Sequence, residues 1–200
     1  IAASLVNGIQ SQGVGACLKH FAVNNQELGR MYMDAVVDDR TLREIYLRGF
    51  EIAVRTAKPW TVMCAYNRLN GVYCSEHDWL LNTVLREEWG FEGSVMTDWG
   101  AANDRPLGVK AGLDLEMPGS GGVNDALVVQ AVANGDLDEA DLDRAVARNI
   151  ALSLSSLNRQ KPATPADPDD QHRLARKAAA QSCVLLKNEN QLLPLSERSK

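Results

Sequence analysis

The sequence predicts an α/β protein: the second half of a TIM-like (β/α)8 barrel, followed by a linker and the beginning of a second domain. Three observations predict it. Strand, loop and helix patterns recur four times at intervals of about 30 residues, the signature of βα units on a parallel sheet. Polar side chains recur at the end of every strand and no Gly-rich phosphate loop is visible, which favours a barrel over a doubly wound sheet. A closed barrel needs eight strands and about 250 residues. Four strands in a chain of 200 residues are therefore half of one.

The elements follow in order. Ala2 to Gln10 reads as a helix end, stopped by Gln12-Gly13, and Val14-Gly15-Ala16-Cys17-Leu18 as a short buried strand delivering Lys19, His20 and Phe21. A polar loop runs through Asn24, Asn25, Gln26, Glu27, Gly29 and Arg30. From Asp38 the period becomes helical, with Leu42, Ile45, Tyr46, Gly49, Phe50 and Ala53 on one face. Thr41 and Glu44 have capping-box spacing at its start, and Asp38 or Asp39 could cap it instead. Lys58-Pro59 ends it, because the residue before proline is driven out of the α region.

Trp60 to Asn67 is the second strand, Leu69-Asn70-Gly71 a turn, and Ser75 with Asp78 the start of a helix carrying Leu81, Val84, Leu85 and Trp89 up to Gly90. Gly93 to Asp98 is the third strand, uncharged until it reaches its acid, with Gly100 free to turn behind it. A short helix around Asn103 to Ala111 precedes a fourth strand and loop, Gly112 to Gly119. Val123 to Ala133 and Asp138 to Leu157 are the closing helices. Pro162, Pro165 and Pro168 then break the pattern among polar residues. Residues 1–157 are thus expected to form the incomplete barrel domain, 158–170 a Pro-rich linker, and 171–200 the start of a second domain. That start comprises a helix over 171–181 and a buried strand over 182–188.

Hydrophobic content of 45%, 24% charged residues and a net charge of −5 describe an ordinary globular chain. The charge does not suit a nucleic-acid binder, and no apolar run approaches membrane-spanning length. A small-molecule partner fits better. Ile1 to Gly13 has no signal-peptide pattern, and the chain reads as a piece of a longer protein. Its open strand edges predict that residues 1–200 alone are unstable, aggregate, or pair with another copy. Cys17, Cys64, Cys74 and Cys183 have no zinc spacing; Cys17 and Cys64 read as buried thiols, and Cys74 lies where it could pair in an oxidising compartment. His20, His77 and His172 are scattered, and no metal or organic cofactor is called for.

Lys19, His20 and Arg30, then Met63, Tyr66 and Asn67, then Asp98 and Trp99 lie at or beyond the ends of successive strands. The loop end of a barrel is its reactive face. Asp98 alone reads more readily as a helix cap than as a reactive acid, and Tyr66 and Trp99 alone are packing aromatics. Together they are what a sugar pocket needs: directional, charged partners for hydroxyls and aromatic faces for a pyranose.

Leu18-Lys19-His20-Phe21-Ala22-Val23-Asn24-Asn25-Gln26-Glu27, Val62 to Asn67, Gly90 to Gly100 and Ala111 to Gly119 together resemble the β-glucosidase branch of glycoside hydrolase family 3. Val184 to Leu195 is similar to the opening of that family's second, α/β-sandwich domain. The resemblance implies that Asp98 is the nucleophile of a retaining β-glucosidase. It also implies that Lys19, His20 and Arg30 hold sugar hydroxyls, and that Met63, Tyr66 and Trp99 line the same subsite. The substrate implied is an oligosaccharide or β-glucoside. In the β-N-acetylglucosaminidase branch the loop begins Pro-Gly-His-Gly and supplies a histidine for proton transfer; here it reads Ala22-Val23-Asn24-Asn25. The branch resembled draws a glutamate from its second domain instead, which places the acid/base beyond Lys200. Alternatives within reach are a β-xylosidase or α-arabinosidase of the same family and a catalytically silent sugar-binding relative.

Overall fold

The computed structural model describes residues 1–159 and 165–196. The chain divides into two compact units, residues 1–161 and 162–200.

The first unit is built on a parallel sheet of order β1 (Cys17–Phe21), β3 (Thr61–Cys64), β6 (Ser94–Met96). Helix α1 (Ala2–Gln10) precedes β1. A helical run then joins β1 to β3: one turn, α2 (Asp39–Thr41), an i→i+5 segment Leu42–Tyr46, and α3 (Arg48–Ala57). A helix of the same wide winding, Trp79–Glu88, joins β3 to β6. A 3-10 turn, Cys74–Glu76, and the α-helices α4 (Arg105–Lys110), α5 (Val123–Asn134) and α6 (Glu139–Asn158) complete the described helical segments of this unit. Strand–helix–parallel strand is the expected βα connectivity, and the core between sheet and helices includes Phe21, Val62, Cys64, Leu81, Leu85, Val95 and Leu113.

Caps explain several boundaries. Asp38, not Thr41, caps the first helical run, its carboxylate accepting from the Thr41 amide at 3.0 Å; that bond holds the Asp38 carboxyl below its ordinary range. Asp104 caps α4 through the Leu107 amide and Asp138 caps α6 through Ala140.

Four features differ from expectation. The first strand runs Cys17–Phe21 rather than Val14–Leu18, because its register is set by its partner β3: Cys17 faces Thr61, Leu18 faces Val62 and Phe21 faces Cys64. Three steps on β1 oppose two on β3, a bulge that spans Lys19 and His20. Ile45 is exposed and Leu47 buried instead, since the Leu47 amide reaches back to the Leu42 carbonyl and this wide turn rotates the apolar face by one residue. Ser75 caps nothing; its hydroxyl donates to the Ala101 carbonyl at 2.8 Å, and the helix starts at Trp79. The fourth strand is reduced to one bridge, Met96 to Leu115, because the Asp114 carboxylate takes the Val95 amide that a longer ladder would use.

A small second sheet escaped the sequence reading. β2 (Asp34–Ala35) pairs in parallel with β4 (Arg68–Leu69), which turns through Asn70 and Gly71 into antiparallel β5 (Val72–Tyr73). Both turn residues have positive φ, 49° and 92°, as a tight hairpin requires. Cys17 is exposed on the edge strand, whereas Cys64 and Cys74 are buried free thiols. The Cys74 thiol donates to the Ala22 carbonyl at 3.4 Å, and burial pushes its pKa up to about 12.

Close approach fixes one glycine. A β-carbon on Gly93 would stand 2.2 Å from the Trp60 carbonyl oxygen and 2.7 Å from the Phe91 ring, whereas one on Gly49 in α3 would meet nothing within 4 Å. Gly93→Ala is expected to destabilise by about 1–3 kcal/mol through overpacking. Gly49→Ala is expected to stabilise by about 0.5–1 kcal/mol by lowering the entropy of the unfolded chain. Denaturation of the two variants side by side checks the contrast in sign.

In the second unit, α7 (Pro168–Ser182) is capped by Asp167 through the Asp169 amide, with Pro168 in its first turn, where a missing N–H costs nothing. It therefore starts three residues before the expected Gln171. Residues 182–188 form no strand; Val184, Leu185 and Leu186 are exposed, with no neighbouring strand among the described residues to pair with. Part of the expected linker, residues 160–164, lies outside the described residues. No helix of the described residues is long and apolar enough to cross a membrane.

Candidate active site at the strand ends

Because β1, β3 and β6 are parallel, their carboxyl ends open on one side. Asp98 lies two residues past β6, its side chain only 12% exposed. Its Oδ1 accepts from the Trp99 amide at 2.7 Å, and its Oδ2 lies 3.3 Å from Nε2 of His20, which the β1 bulge carries. One carboxylate oxygen is thus held by the main chain and the other by a half-exposed imidazole. Local geometry ties the acid to its own loop, and the parallel pairing of β1 with β3 and of β3 with β6 brings the histidine across.

Tyr66 closes the next side. It is buried, and its hydroxyl donates to the Trp99 carbonyl at 2.8 Å. Burial, then the nearby Asp98 charge, raises the phenol above its ordinary range, so it remains a neutral donor. The Arg30 guanidinium stacks over the Tyr66 ring, 4.6 Å from its centre, while Glu27 pairs with Arg30 at 2.8 Å. Glu27 is in turn held by the Asn24 amide at 3.0 Å. Five of the seven sequence-predicted residues, His20, Arg30, Tyr66, Asp98 and Trp99, therefore form one connected group.

Met63 is half-buried on β3, in register with Met96. Lys19 is exposed beside His20 and stands outside the hydrogen-bonded group. Trp99 leaves 65% of its surface exposed, an indole face open to a ligand. Sequence reasoning missed Glu27 as the anchor of Arg30, although the spacing of three residues was a signal. A cavity of about 440 Å3 opens at the opposite end of the sheet, between Lys58, Trp60, Gly93, Ser94 and α6, and none of these seven residues lines it. Among the described residues no three His, Cys, Asp or Glu side chains gather as a metal site.

This arrangement has relatives. Residues 1–152 match the model of the glycosyl hydrolase family 3 N terminal domain. The chain is 57% identical to thermostable beta-glucosidase B of Acetivibrio thermocellus over 98% of its own length and 26% of that protein's. It is 48% identical to an exo-alpha-(1->6)-L-arabinopyranosidase of Bifidobacterium breve, again over 98% of the chain and 26% of the relative. Beta-glucosidase 3B of Thermotoga neapolitana, solved in complex with alpha-D-glucose, superposes with a TM-score of 0.90 at 48% identity, over 98% of this chain and 29% of that one. The chain thus spans about a quarter of the length of the curated relatives it matches. A family model covering residues 1–152, and a solved β-glucosidase that follows the backbone almost throughout, together establish that this chain belongs to glycosyl hydrolase family 3.

Proposed function

We propose that the protein carrying this chain is a retaining glycoside hydrolase that releases terminal non-reducing β-D-glucosyl residues, with Asp98 as its nucleophile. The observation that carries the reading is the largely enclosed Asp98 carboxylate at the strand ends, held by the Trp99 amide at 2.7 Å and by His20 at 3.3 Å. Asp98 attacks the anomeric carbon as the aglycone oxygen leaves with a proton from a second carboxylic acid. The resulting glycosyl ester is cleaved by water, which gives its proton to that same carboxylate, and Asp98 departs. The second carboxyl group belongs about 5–5.5 Å from the first. We assign it to a glutamate outside residues 1–200, so that residues 1–200 alone are inactive.

The other residues act on the sugar. Lys19, His20 and Arg30 donate to its hydroxyls, bonds that tighten as the ring flattens and so lower the barrier rather than only increase binding. Met63, Tyr66 and Trp99 supply the walls. The division of the chain into a barrel part over 1–157, a linker over 158–170 and a second-domain start over 171–200 belongs to the same reading. The 48% identity to an arabinopyranosidase supports a second substrate, an α-L-arabinopyranoside, which lacks the exocyclic carbon of glucose.

Incubating the full-length protein with an activated 2-deoxy-2-fluoro-β-D-glucoside tests the reading. A covalent adduct mapped to Asp98 is expected; an active enzyme labelled elsewhere, or no adduct at all, would sink it. The ratio of kcat/KM on aryl β-D-glucoside and aryl α-L-arabinopyranoside decides between the two sugars.

A further inference from the structure

We infer that Thr97 is a positioning residue for Asp98, acting through Met117. The inference rests on Asp98 being the nucleophile. Asp98 has left the ladder of β6, which ends at Met96, so pairing with β3 no longer places it. One residue of the following segment is bonded to the chain on both sides of it. The fully buried Thr97 hydroxyl accepts from the Met117 amide at 2.8 Å and donates to the Met117 carbonyl at 3.1 Å. That same carbonyl accepts from the Gly100 amide at 3.2 Å. Met117 therefore brackets residues 97 and 100, and Asp98 and Trp99 are the two residues suspended between the brackets.

A hydroxyl is needed for this. It is the one small side-chain group that can accept from an amide and donate to a carbonyl at once. Valine has the same shape and does neither. The Thr97 main chain is already secured, its amide donating to the Leu115 carbonyl at 3.0 Å, so the side-chain pair is not needed merely to extend the strand. Its consequence is angular: it sets the direction in which the chain leaves the sheet, and hence where the carboxylate stands relative to His20 and to a bound anomeric carbon. Displacements of about 1 Å at a reacting atom cost on the order of 100-fold in rate.

The experiment compares Thr97→Val, Thr97→Ala and Thr97→Ser with the unaltered full-length protein, using an activated 2-deoxy-2-fluoro-glucoside. The rate of covalent capture at Asp98 is separated from the reversible affinity that precedes it. Thr97→Val and Thr97→Ala are expected to slow capture on the order of 10- to 100-fold. Affinity should stay within about 3-fold, and Thr97→Ser should recover capture to within about 3-fold, as a displacement confined to the reacting atom requires. Thr97→Ala adds no methyl group and serves if the valine variant does not fold. Capture at the unaltered rate in either variant would overturn the inference, and so would a serine variant as slow as valine, or capture and affinity falling together. If the unaltered protein is labelled at Asp98 while the variants are unaffected, only the role of Thr97 falls. If Asp98 is not labelled in the unaltered protein, the nucleophile assignment falls and takes this one with it.

Discussion

Asp98→Ala in the full-length protein is expected to lower kcat/KM for an aryl β-glucoside on the order of 10⁴-fold or more, the scale seen when a nucleophile is deleted. The chain should still fold. The Asp98 side chain accepts from the Trp99 amide and faces a His20 imidazole that is 36% exposed, so its removal strands no deeply buried charge. Asp98→Asn separates the two roles: it can still accept from the Trp99 amide yet cannot form the glycosyl ester. Both variants should lose turnover alike while their melting temperatures stay close to that of the unaltered protein. Undiminished hydrolysis by either one would remove the nucleophile assignment.

Asp114→Ala is expected to act in the opposite way, costing about 3–5 kcal/mol of stability, the range for breaking a buried ion pair from one side. The Asp114 side chain is completely buried and accepts from Arg86 at 2.6 Å, from Arg148 at 2.9 Å and from the Val95 amide at 2.7 Å. Arg86, itself only 9% exposed, also donates to the carbonyls of Gly93 and Gly112, while its buried Nε has no hydrogen-bond partner, so Asp114 is the carboxylate that pairs with it. Three elements lose a common anchor at once: the Trp79–Glu88 helix, β6 and α6. Chemical denaturation checks the loss, and a change below about 1 kcal/mol would show that the arginines find other partners.

The helices were legible wherever their signals are local. Asp38 and Asp138, which stand at expected helix starts, each cap the residues immediately after them, and the helices over 123–134 and 139–158 fall within a residue or so of their expected bounds. Local pattern failed where a partner elsewhere sets the outcome. Val14–Leu18 is apolar enough for a strand, but the strand lies at Cys17–Phe21, where β3 offers a ladder. Ile45 fits a regular period, but the wide turn closing on Leu47 exposes it. Asp34, Arg68 and Tyr73 carry no pattern that announces the small sheet, which exists only because a hairpin meets a two-residue strand from far along the chain. At the site, residue types and their places at strand ends pointed to Asp98, His20, Tyr66 and Arg30, yet nothing local distinguished Thr97, Asp114 or Glu27 from ordinary polar filling.

By itself the sequence determined which side chains lie at the strand ends, where most helices start and stop, and which family they match, because these depend on neighbours a few residues away and on motif order. Tertiary structure alone decided that His20 meets Asp98 at 3.3 Å, that Arg30 stacks on Tyr66, and that Met117 grips the chain on either side of the acid. Those contacts join residues 17 to 78 positions apart, and strand register, one bulge and one bridging main-chain carbonyl bring them together. None of these leaves a mark in composition or periodicity.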